Sequence, residues 1–331
     1  MAKYTVFRLH FRSPLHIGLG RSAYDSSSSD LHSDTITSAL AAIKAQHGAS
    51  SEEIKQFLDS FVMSSAFPFE GEMYFLPRPL TTDRIIVDGN DGAEFRKKLK
   101  KVRYIENSVW KIFVSDTIPS ILSTQIHDDY VTPLGCTDFE TPFKKQVMQR
   151  VSVNRSGEKP SEPFFFEWCF FNEAKDCGLY VIVEAKDEVL SELECLFDEL
   201  GKAGIGTDKS VGGGQFEFTT HNIELPSEGG DAWLCLSLFL PTHNEQASIN
   251  MLDSCYNITR RGGFMAGSSH YEFRHLWKKS VYMYEEGSVL LSETKPVGSI
   301  VDLQPEWYSK DMHPVYRSGK ALFIPVKIAK T

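Results

Sequence analysis

The chain has 331 residues, of which 41% are apolar and 24% are charged, and its formal net charge is −9. This balance is typical of a globular protein and excludes disorder along the whole chain, and no stretch approaches the roughly 20 apolar residues of a membrane span. The first residues alternate between apolar and polar and have no signal-peptide core, so we expect a cytoplasmic protein.

The N-terminal segment begins with one strand and two helices. Every second residue is apolar over residues 4–11, which predicts a strand. Apolar residues at helical spacing over 36–43 predict a helix, and we interpret Ser33 and Asp34 as its N-cap pair. The same spacing predicts a second helix over residues 54–61.

The stretch from about 65 to 160 has a less regular pattern. Its scattered prolines predict irregular insertions, with one short basic helix near 93–103. The polar, basic run 144–160 predicts a protruding hairpin or a mobile loop.

Regular patterns return after this insertion. The aromatic run 164–171 and the apolar run 179–183 predict two strands joined as a hairpin. An amphipathic helix is predicted over 193–200, ending at Gly201, and a short strand over 215–219. The order strand, helix, insertion, strand, strand, helix, strand is the split βαβ pattern of the ferredoxin-like fold, whose topology RNA-recognition modules share.

A linker and a second β-rich unit follow. Residues 226–231 are rich in serine, glycine and acidic residues and predict the linker, and one helical segment is predicted around 245–256 among further strands. We therefore expect an α+β protein with two ferredoxin-like (RRM-like, split βαβ) domains. The first covers residues 1–225, with a loop-rich basic insertion at about 65–160, and the second, degenerate domain covers residues 226–331.

The segment 204–214 has five glycines in eleven positions. Glycine lets backbone N–H groups approach a phosphate closely, and Lys209 and Ser210 add a charge and a hydroxyl donor. The segment is not a Walker loop, because Asp208 precedes Lys209, and it lacks the third glycine of a dinucleotide fingerprint. Both motifs also lead from a strand into a helix, whereas this segment leads from a helix into a strand. A loop along an extended RNA backbone fits better; a turn without a ligand is the alternative.

Basic residues are clustered despite the acidic total. The clusters occupy residues 96–103, 144–159 and 260–279. Because a protein can face RNA with one side and protein partners with another, the total charge does not exclude nucleic acid. A solvated surface also explains any one cluster alone.

Several motifs resemble the repeat-associated mysterious proteins (RAMPs) of CRISPR systems, and together they cover residues 5 to about 290. The segment 199–216 resembles the RAMP glycine-loop signature, and residues 13–18 are similar to the exit of the first RAMP strand. Three further segments resemble the branch that supplies subunit four of the type III-A (Csm) interference complex: 32–40, 260–264 and 283–288.

The resemblance implies a non-catalytic, RNA-binding subunit of an antiviral defence complex. Such a subunit binds and caps the repeat-derived 5′ tag of the guide RNA (crRNA) and contacts the large polymerase-like subunit on one side and a backbone RAMP subunit on the other. An extended thumb between guide and target RNA would match the basic run 144–160. Asp208 departs from the more basic loops of relatives. The predicted RNA contacts are His16, Gly18, Arg150, Arg155, Gly204, Gly206, Lys209, Ser210, Gly212, Gly213, Gly214, Arg260, Arg261, Gly262 and Gly263.

Two residues raise the question of catalysis. Related guide-processing nucleases use histidine as an acid or base, so His16 is the candidate of an alternative function, a RAMP-type endoribonuclease that processes precursor guide RNA. Target cleavage by backbone RAMP subunits depends on an aspartate, but helix capping is sufficient reason for Asp34.

The six cysteines form no C-x-x-C pair, and catalytic and metal-binding motifs are absent, so we expect no enzyme activity, no cofactor and no metal site.

Overall fold

The computed structural model describes residues 1–18, 25–80, 86–87, 93–115, 117–152, 162–265, 276–305 and 312–327. The predicted RNA contact Arg155 lies outside these residues. The described part is a mixed α+β protein dominated by sheet. Its α-helices are α1 (Ser33–Gln46), α2 (Ser51–Asp59), α3 (Ala93–Lys101), α4 (Asn107–Phe113), α5 (Asp187–Ala203) and α6 (His243–Ser248), and 3-10 turns lie at Ser123–Gln125, Glu173–Lys175 and Lys209–Val211.

The strands of the described part are labelled in chain order. They are β1 (Ala2–Phe11), β2 (Ile17–Gly18), β3 (Ser27–Ser28), β4 (Phe61–Met63), β5 (Phe67–Glu70), β6 (Met73–Pro77), β7 (Ile86–Val87), β8 (Tyr104–Glu106), β9 (Ser120–Ile121), β10 (Ile126–His127), β11 (Tyr130–Val131), β12 (Phe143–Ser152), β13 (Glu162–Phe171), β14 (Cys177–Ala185), β15 (Phe216–Leu225), β16 (Ala232–Cys235), β17 (Asn250–Cys255), β18 (Ile258–Arg261), β19 (Val281–Tyr284), β20 (Val289–Leu291), β21 (Ile300–Asp302), β22 (Tyr316–Ser318) and β23 (Phe323–Val326).

A large sheet with the strand order β10-β11-β8-β6-β5-β14-β1-β15 forms the centre of the molecule. The strand predicted over residues 4–11 is confirmed as β1, which lies between β14 and β15 and is antiparallel to both. Its register with β15 runs from Ala2 opposite Leu225 to Phe11 opposite Phe216. β4 pairs with β14 along the same edge as β5.

Both faces of the central strands are buried. On one face Phe7 and Leu9 belong to a hydrophobic cluster with α1, α2 and α5. On the opposite face Val6 and Tyr180 belong to a second cluster, which also contains Leu234 of β16. Successive residues of a strand point to opposite faces, which explains how one strand serves two cores. The second half of the chain therefore shares a core with the first.

The first part of the insertion is more regular than its prolines predict. β5, β6, β8 and β11 extend the central sheet, and Trp110 of α4 is fully buried with its indole N–H donating to the Pro77 carbonyl at 2.9 Å. The expectation of irregular structure was wrong here, because Pro68 and Pro77 lie near the ends of short strands, where a missing N–H is tolerated.

The described part of the basic run, residues 144–152, lies in β12, one strand of a hairpin whose other strand, β13, comes from the aromatic run that follows. β12 and β13 pair antiparallel from Phe143 opposite Phe171 to Ser152 opposite Glu162. The predicted hairpin between 164–171 and 179–183 was wrong, because β14 instead pairs with β1, β4 and β5. The apolar run of β14 is buried on both faces, which suits a central strand.

The start of α1 differs from its predicted cap. His32 is the N-cap residue and makes no side-chain capping bond, while Ser33 and Asp34 are the first two helical residues and are buried. The interpretation of Ser33 and Asp34 as a capping pair was therefore wrong. Their side chains bind groups from the second half of the chain instead.

The predicted stop of α5 was also too early. Gly201 lies inside the helix, where an added Cβ would be 2.2 Å from the Phe216 carbonyl oxygen. Glycine is needed there because α5 crosses closely over β15. The helix ends at Ala203, and Gly204 follows with a φ of +79°.

The second half contains a four-stranded antiparallel sheet with the order β17-β20-β16-β23. The helical segment predicted around 245–256 is α6 up to Ser248 and then strand β17. The residues described between β20 and β23 contain no α-helix. None of the described helices is long and apolar enough to cross a membrane.

Candidate nucleic-acid interface

The glycine-rich loop, residues 204–214, packs against the segment that follows β1. The Thr207 N–H donates to the His16 carbonyl at 2.8 Å, and the Gly214 N–H donates to the Pro14 carbonyl at 2.9 Å. A third bond, from the Ile205 N–H to the Gly214 carbonyl at 3.0 Å, closes the base of the loop. The two segments that carry the strongest sequence motifs are thus joined.

The glycines of the loop are explained by close backbone packing. An added Cβ would lie 2.4 Å from the Gly213 carbonyl oxygen at Gly204, 2.4 Å from the His16 carbonyl oxygen at Gly206 and 1.9 Å from the Ile205 carbonyl oxygen at Gly214. Most loop N–H groups are already used inside the protein. Those that donate to backbone carbonyls are Gly204, Ile205, Thr207, Val211, Gly212, Gly213 and Gly214.

The outer turn of the loop is exposed. Lys209, Ser210 and Val211 form one 3-10 turn, and all three side chains are solvent-accessible. Asp208 and Gly212, which flank the turn, are left-handed with φ values of +63° and +88°. The loop therefore offers its cation and hydroxyl to solvent, while its backbone is mostly engaged.

An ion pair joins the loop to the β12–β13 hairpin. Arg150 of β12 donates from Nη1 to Asp208 Oδ2 at 2.7 Å. Its guanidinium also lies over two rings of β13, 4.6 Å from the centroid of Phe166 and 5.0 Å from that of Trp168. Trp168 in turn touches Gly213, where a Cβ would be 2.8 Å from the indole. Sequence reasoning missed both rings; the aromatic run of β13 was their only signal.

His16 is a buried residue beneath the loop, with 1% exposure. Its Nδ1 lies 2.7 Å from the Glu167 carbonyl oxygen, which fixes Nδ1 as the donor, and its ring packs 4.2 Å from Phe166. Its Nε2 is buried and has no hydrogen-bond partner among the described residues. The neighbouring Gly18 is exposed, and its N–H donates to Thr207 Oγ1 at 3.2 Å.

The structure brings only part of the predicted site together. His16, Gly18, Arg150 and the loop glycines meet beside the end of β1, whereas Arg260 and Arg261 belong to the separate β18–β19 sheet, with Gly262 and Gly263 directly after β18. Arg260 donates to Ser280 Oγ at 3.2 Å.

Arg261 links β18 to the start of α1. Its Nε and Nη2 donate to the two carboxylate oxygens of Asp34, each at 2.9 Å, and Arg317 donates to the same carboxylate. Asp34 is fully buried and Arg317 is 5% exposed. One carboxylate from the first half of the chain thus holds two guanidinium groups from the second half.

The ion pairs of Asp34 form one polar junction between the two halves of the chain, and a second polar junction lies next to it. His32 Nδ1 is 2.9 Å from Glu286 Oε1, and the Ser65 hydroxyl donates to the same oxygen. Burial alone would lower the pKa of His32, but the Glu286 carboxylate has the larger combined effect, so the net pKa is raised. Burial alone would raise the pKa of Glu286, but His32 and the Ser65 hydroxyl together have the larger effect, so the net pKa is lowered. Both shifts favour the charged pair.

In the described ranges no three His, Cys, Asp or Glu side chains are grouped as a metal site would require. Burial raises the pKa of the Cys177 thiol to about 12, which disfavours the thiolate form.

Comparisons with known proteins agree with the RAMP motifs. A model of the CRISPR Csm4 C-terminal domain matches residues 228–326. The chain is 27% identical over 249 residues to the CRISPR system Cms protein Csm4 of Thermococcus onnurineus (strain NA1), covering 71% of this chain and 75% of that protein. It is 26% identical over 338 aligned residues to the protein of the same name from Streptococcus thermophilus, covering 98% and 99%.

Solved structures share the fold over the whole length. A chain of the Csm1-Csm4 cassette in complex with AMPPNP matches with a TM-score of 0.63 and 18% identity, covering 100% of both chains. A chain of the Csm3-Csm4 subcomplex in the type III-A CRISPR-Cas interference complex matches with a TM-score of 0.59 and 16% identity, covering 98% and 99%. The domain match and the two relatives thus show that this chain is similar to Csm4 proteins of CRISPR systems, and the solved structures show that it shares their fold.

Proposed function

We propose that this chain is a non-catalytic subunit of a type III-A CRISPR interference complex that binds and caps the repeat-derived 5′ tag of the guide RNA. The observation that carries the proposal is the exposed turn of Lys209 and Ser210, next to Gly18 and Arg150 at the end of β1. An ammonium, a hydroxyl and a guanidinium on one surface suit the phosphates of a single RNA strand. The loop glycines support these groups by close packing and contribute few N–H donors of their own.

Two ferredoxin-like domains are part of the proposal. The order β15-β1-β14-β4, with α1 after β1 and α5 after β14, follows the split βαβ pattern. The order β17-β20-β16-β23 follows the same pattern, with α6 after β16. The described residues between β20 and β23 lack the second helix, which supports a degenerate second domain over 226–331 beside the first over 1–225.

The proposal also includes two protein partners and the target RNA. Csm4 chains occur in solved assemblies with Csm1 and with Csm3. We propose that this chain likewise bridges the large polymerase-like subunit to the backbone RAMP subunits. The β12–β13 hairpin would act as the thumb near the target RNA. Arg261, whose guanidinium is held by Asp34, would join the two halves of the chain instead of contacting RNA.

The alternative, an endoribonuclease with His16 as acid or base, has less support. A general acid or base must come within hydrogen-bond reach of the RNA. His16 is 1% exposed, and its Nδ1 is bound to the Glu167 carbonyl. Its position suits a residue that supports the loop through Phe166 and Trp168.

Substitution of Lys209 tests the proposal. In a reconstituted type III-A complex, Lys209→Glu is expected to weaken binding of the guide RNA because it places a negative charge against the phosphates. In salt titrations the slope of log affinity against log salt should become smaller in magnitude by about 0.7, the value for one phosphate contact on a single strand.

Lys186→Glu is the matched control, because Lys186 is exposed at the opposite end of α5. It should leave both the affinity and the slope at the wild-type values. Equal affinities for wild type and Lys209→Glu would reject the loop as the RNA contact. Cleavage of precursor repeat RNA by the purified chain, lost in His16→Ala, would instead favour the endoribonuclease.

A further inference from the structure

The basic run at residues 96–103 is not used by the proposed loop site. Most of it lies in α3, which packs through the buried Phe95 and the half-buried Leu99. Lys97, Lys98, Lys100 and Lys101 of this helix are all exposed. A helix that presents four lysines to solvent attracts anions, and Lys98 and Lys101 share one face because they are three residues apart.

A cleft of about 570 Å³ lies beside that face of α3. Its lining combines Lys98 and Lys101 with Lys144 from the start of β12, and with the half-buried ring of Phe139. His127 packs against Phe139 with ring centroids 5.4 Å apart and holds the ring in place.

The side chains that line the cleft include more positive than negative groups. The three lysines face two carboxylates, those of Asp128 and Glu140. Lys144 Nζ is 3.8 Å from the Glu140 carboxylate, and the two side chains are 77% and 51% exposed. Such an exposed pair is weak, so an incoming phosphate can compete for Lys144.

We propose that this cleft is a second RNA-binding site, in which Lys98, Lys101 and Lys144 contact the phosphates of a single RNA strand and Phe139 offers a surface for a base. Cations that follow a backbone, combined with an aromatic ring, are the usual means of binding single-stranded nucleic acid. The volume is in the range of small-ligand clefts and large enough for a nucleotide.

The β12 strand favours RNA over an acidic protein segment as the occupant. Lys144 and Arg150 are six residues apart on the same face of β12, because alternate residues of a strand share a face. At about 3.4 Å per residue they are about 20 Å apart, so RNA that contacts Arg150 and the glycine loop could follow β12 to the cleft. This step depends on the proposed function of the loop.

Salt titration of RNA binding tests the cleft. The full chain carrying Lys98→Gln and Lys101→Gln, titrated with a short fluorescein-labelled single-stranded RNA, should bind more weakly. Its slope of log affinity against log salt should be about 1.4 smaller in magnitude, twice the value of about 0.7 per phosphate. The control is Lys55→Gln with Lys186→Gln, two exposed lysines on α2 and next to α5, which should keep the wild-type slope.

The outcomes separate the cleft from the loop. A wild-type slope for the α3 variant, alongside weaker binding by Lys209→Glu, would overturn the cleft and leave the loop site standing. A wild-type slope combined with loss of a protein subunit from the reconstituted complex would make the cleft a protein interface and also overturn the proposal. In that complex, 4-thiouridine placed in the guide or in the target strand should crosslink to peptides from the cleft, and the strand that does so identifies the RNA.

Discussion

Asp208 places a negative charge in a loop proposed to bind phosphates, and its contact with Arg150 explains why. Its φ of +63° is one that aspartate tolerates better than most residues with a Cβ. The 2.7 Å ion pair holds the Arg150 guanidinium over Phe166 and Trp168. The carboxylate thus offsets part of the Arg150 charge and at the same time fixes the position of the guanidinium beside the loop.

Asp34 has a different electrostatic role. A buried carboxylate that binds two guanidinium groups is a costly arrangement to assemble, but it is even more costly to break, because the partners stay buried without their counter-charge. Arg317, at 5% exposure, has little access to water and its Nε has no partner among the described residues. Asp34 is therefore a structural link between the two halves of the chain.

Replacement of Asp34 should accordingly destabilise the protein strongly. Asp34→Ala is expected to lower the free energy of unfolding by about 3–5 kcal/mol, as measured by chemical denaturation of the purified chain. The control is Asp59→Ala, which removes the ion pair of Asp59 with Lys320, where the carboxylate is 72% exposed. That loss should be at most about 1 kcal/mol. Similar losses for the two variants would contradict the role given to Asp34.

At the scale of elements, the glycine-rich loop depends on two different properties of glycine. Gly212 and Gly214 both have positive φ values, +88° and +68°. Nothing lies within 4 Å of a Cβ built on Gly212, whereas a Cβ on Gly214 would be 1.9 Å from the Ile205 carbonyl oxygen. Gly212 is needed for its conformation alone, and Gly214 for conformation and space.

This difference predicts unequal effects of the same substitution. Gly212→Ala should cost about 1–2 kcal/mol, the strain of a left-handed residue with a Cβ. Gly214→Ala should cost more, because it also displaces the bonds of Gly214 with Ile205 and Pro14. Thermal unfolding of both variants compares the costs directly. An equal shift of the melting temperature would show that the loop has room to move away from β1.

The elements that sequence predicted well are those with a complete local pattern. The alternation over residues 4–11 records the apolar face of β1, and the apolar spacing of α5 records its buried face, so β1 and α5 were predictable. Pairing of β13 with β12 was not, because an aromatic run does not specify which strand lies beside it. The Arg150–Asp208 contact at the site was hidden for the same reason: it joins residues 58 positions apart.

At the scale of the whole molecule, the two halves are held together by polar groups as well as by a shared core. Leu234 and Ile324 of the second half belong to the cluster on one face of the central sheet. Beside it, His32 and Asp34 at the start of α1 bind Glu286, Arg261 and Arg317. Neither polar junction could be predicted from sequence. The local pattern shows only that His32 and Asp34 lie near the start of a helix, and their partners are more than 200 positions away.

The His32–Glu286 pair should make this junction sensitive to pH. The pKa of Glu286 is lowered, so its contribution is present above the ordinary value of 4.5 and is lost as pH falls through the folded pKa. The pKa of His32 is raised, so its contribution is present below the ordinary value of 6.5 and is lost as pH rises through the folded pKa. The pair therefore stabilises the protein most between these values, at mildly acidic pH.

The unfolding free energy of the purified chain should thus decline as pH rises from about 6.5, the ordinary pKa of histidine, through the raised pKa of His32, and His32→Gln should flatten that decline. His47→Gln is the control, because the His47–Glu199 pair has a similar geometry, at 2.8 Å, but its side chains are 52% and 47% exposed. An exposed pair contributes little, so this variant should keep the wild-type profile. If His32→Gln also kept the wild-type dependence of the unfolding free energy on pH, the charged pair would not be what stabilises the contact between the two halves.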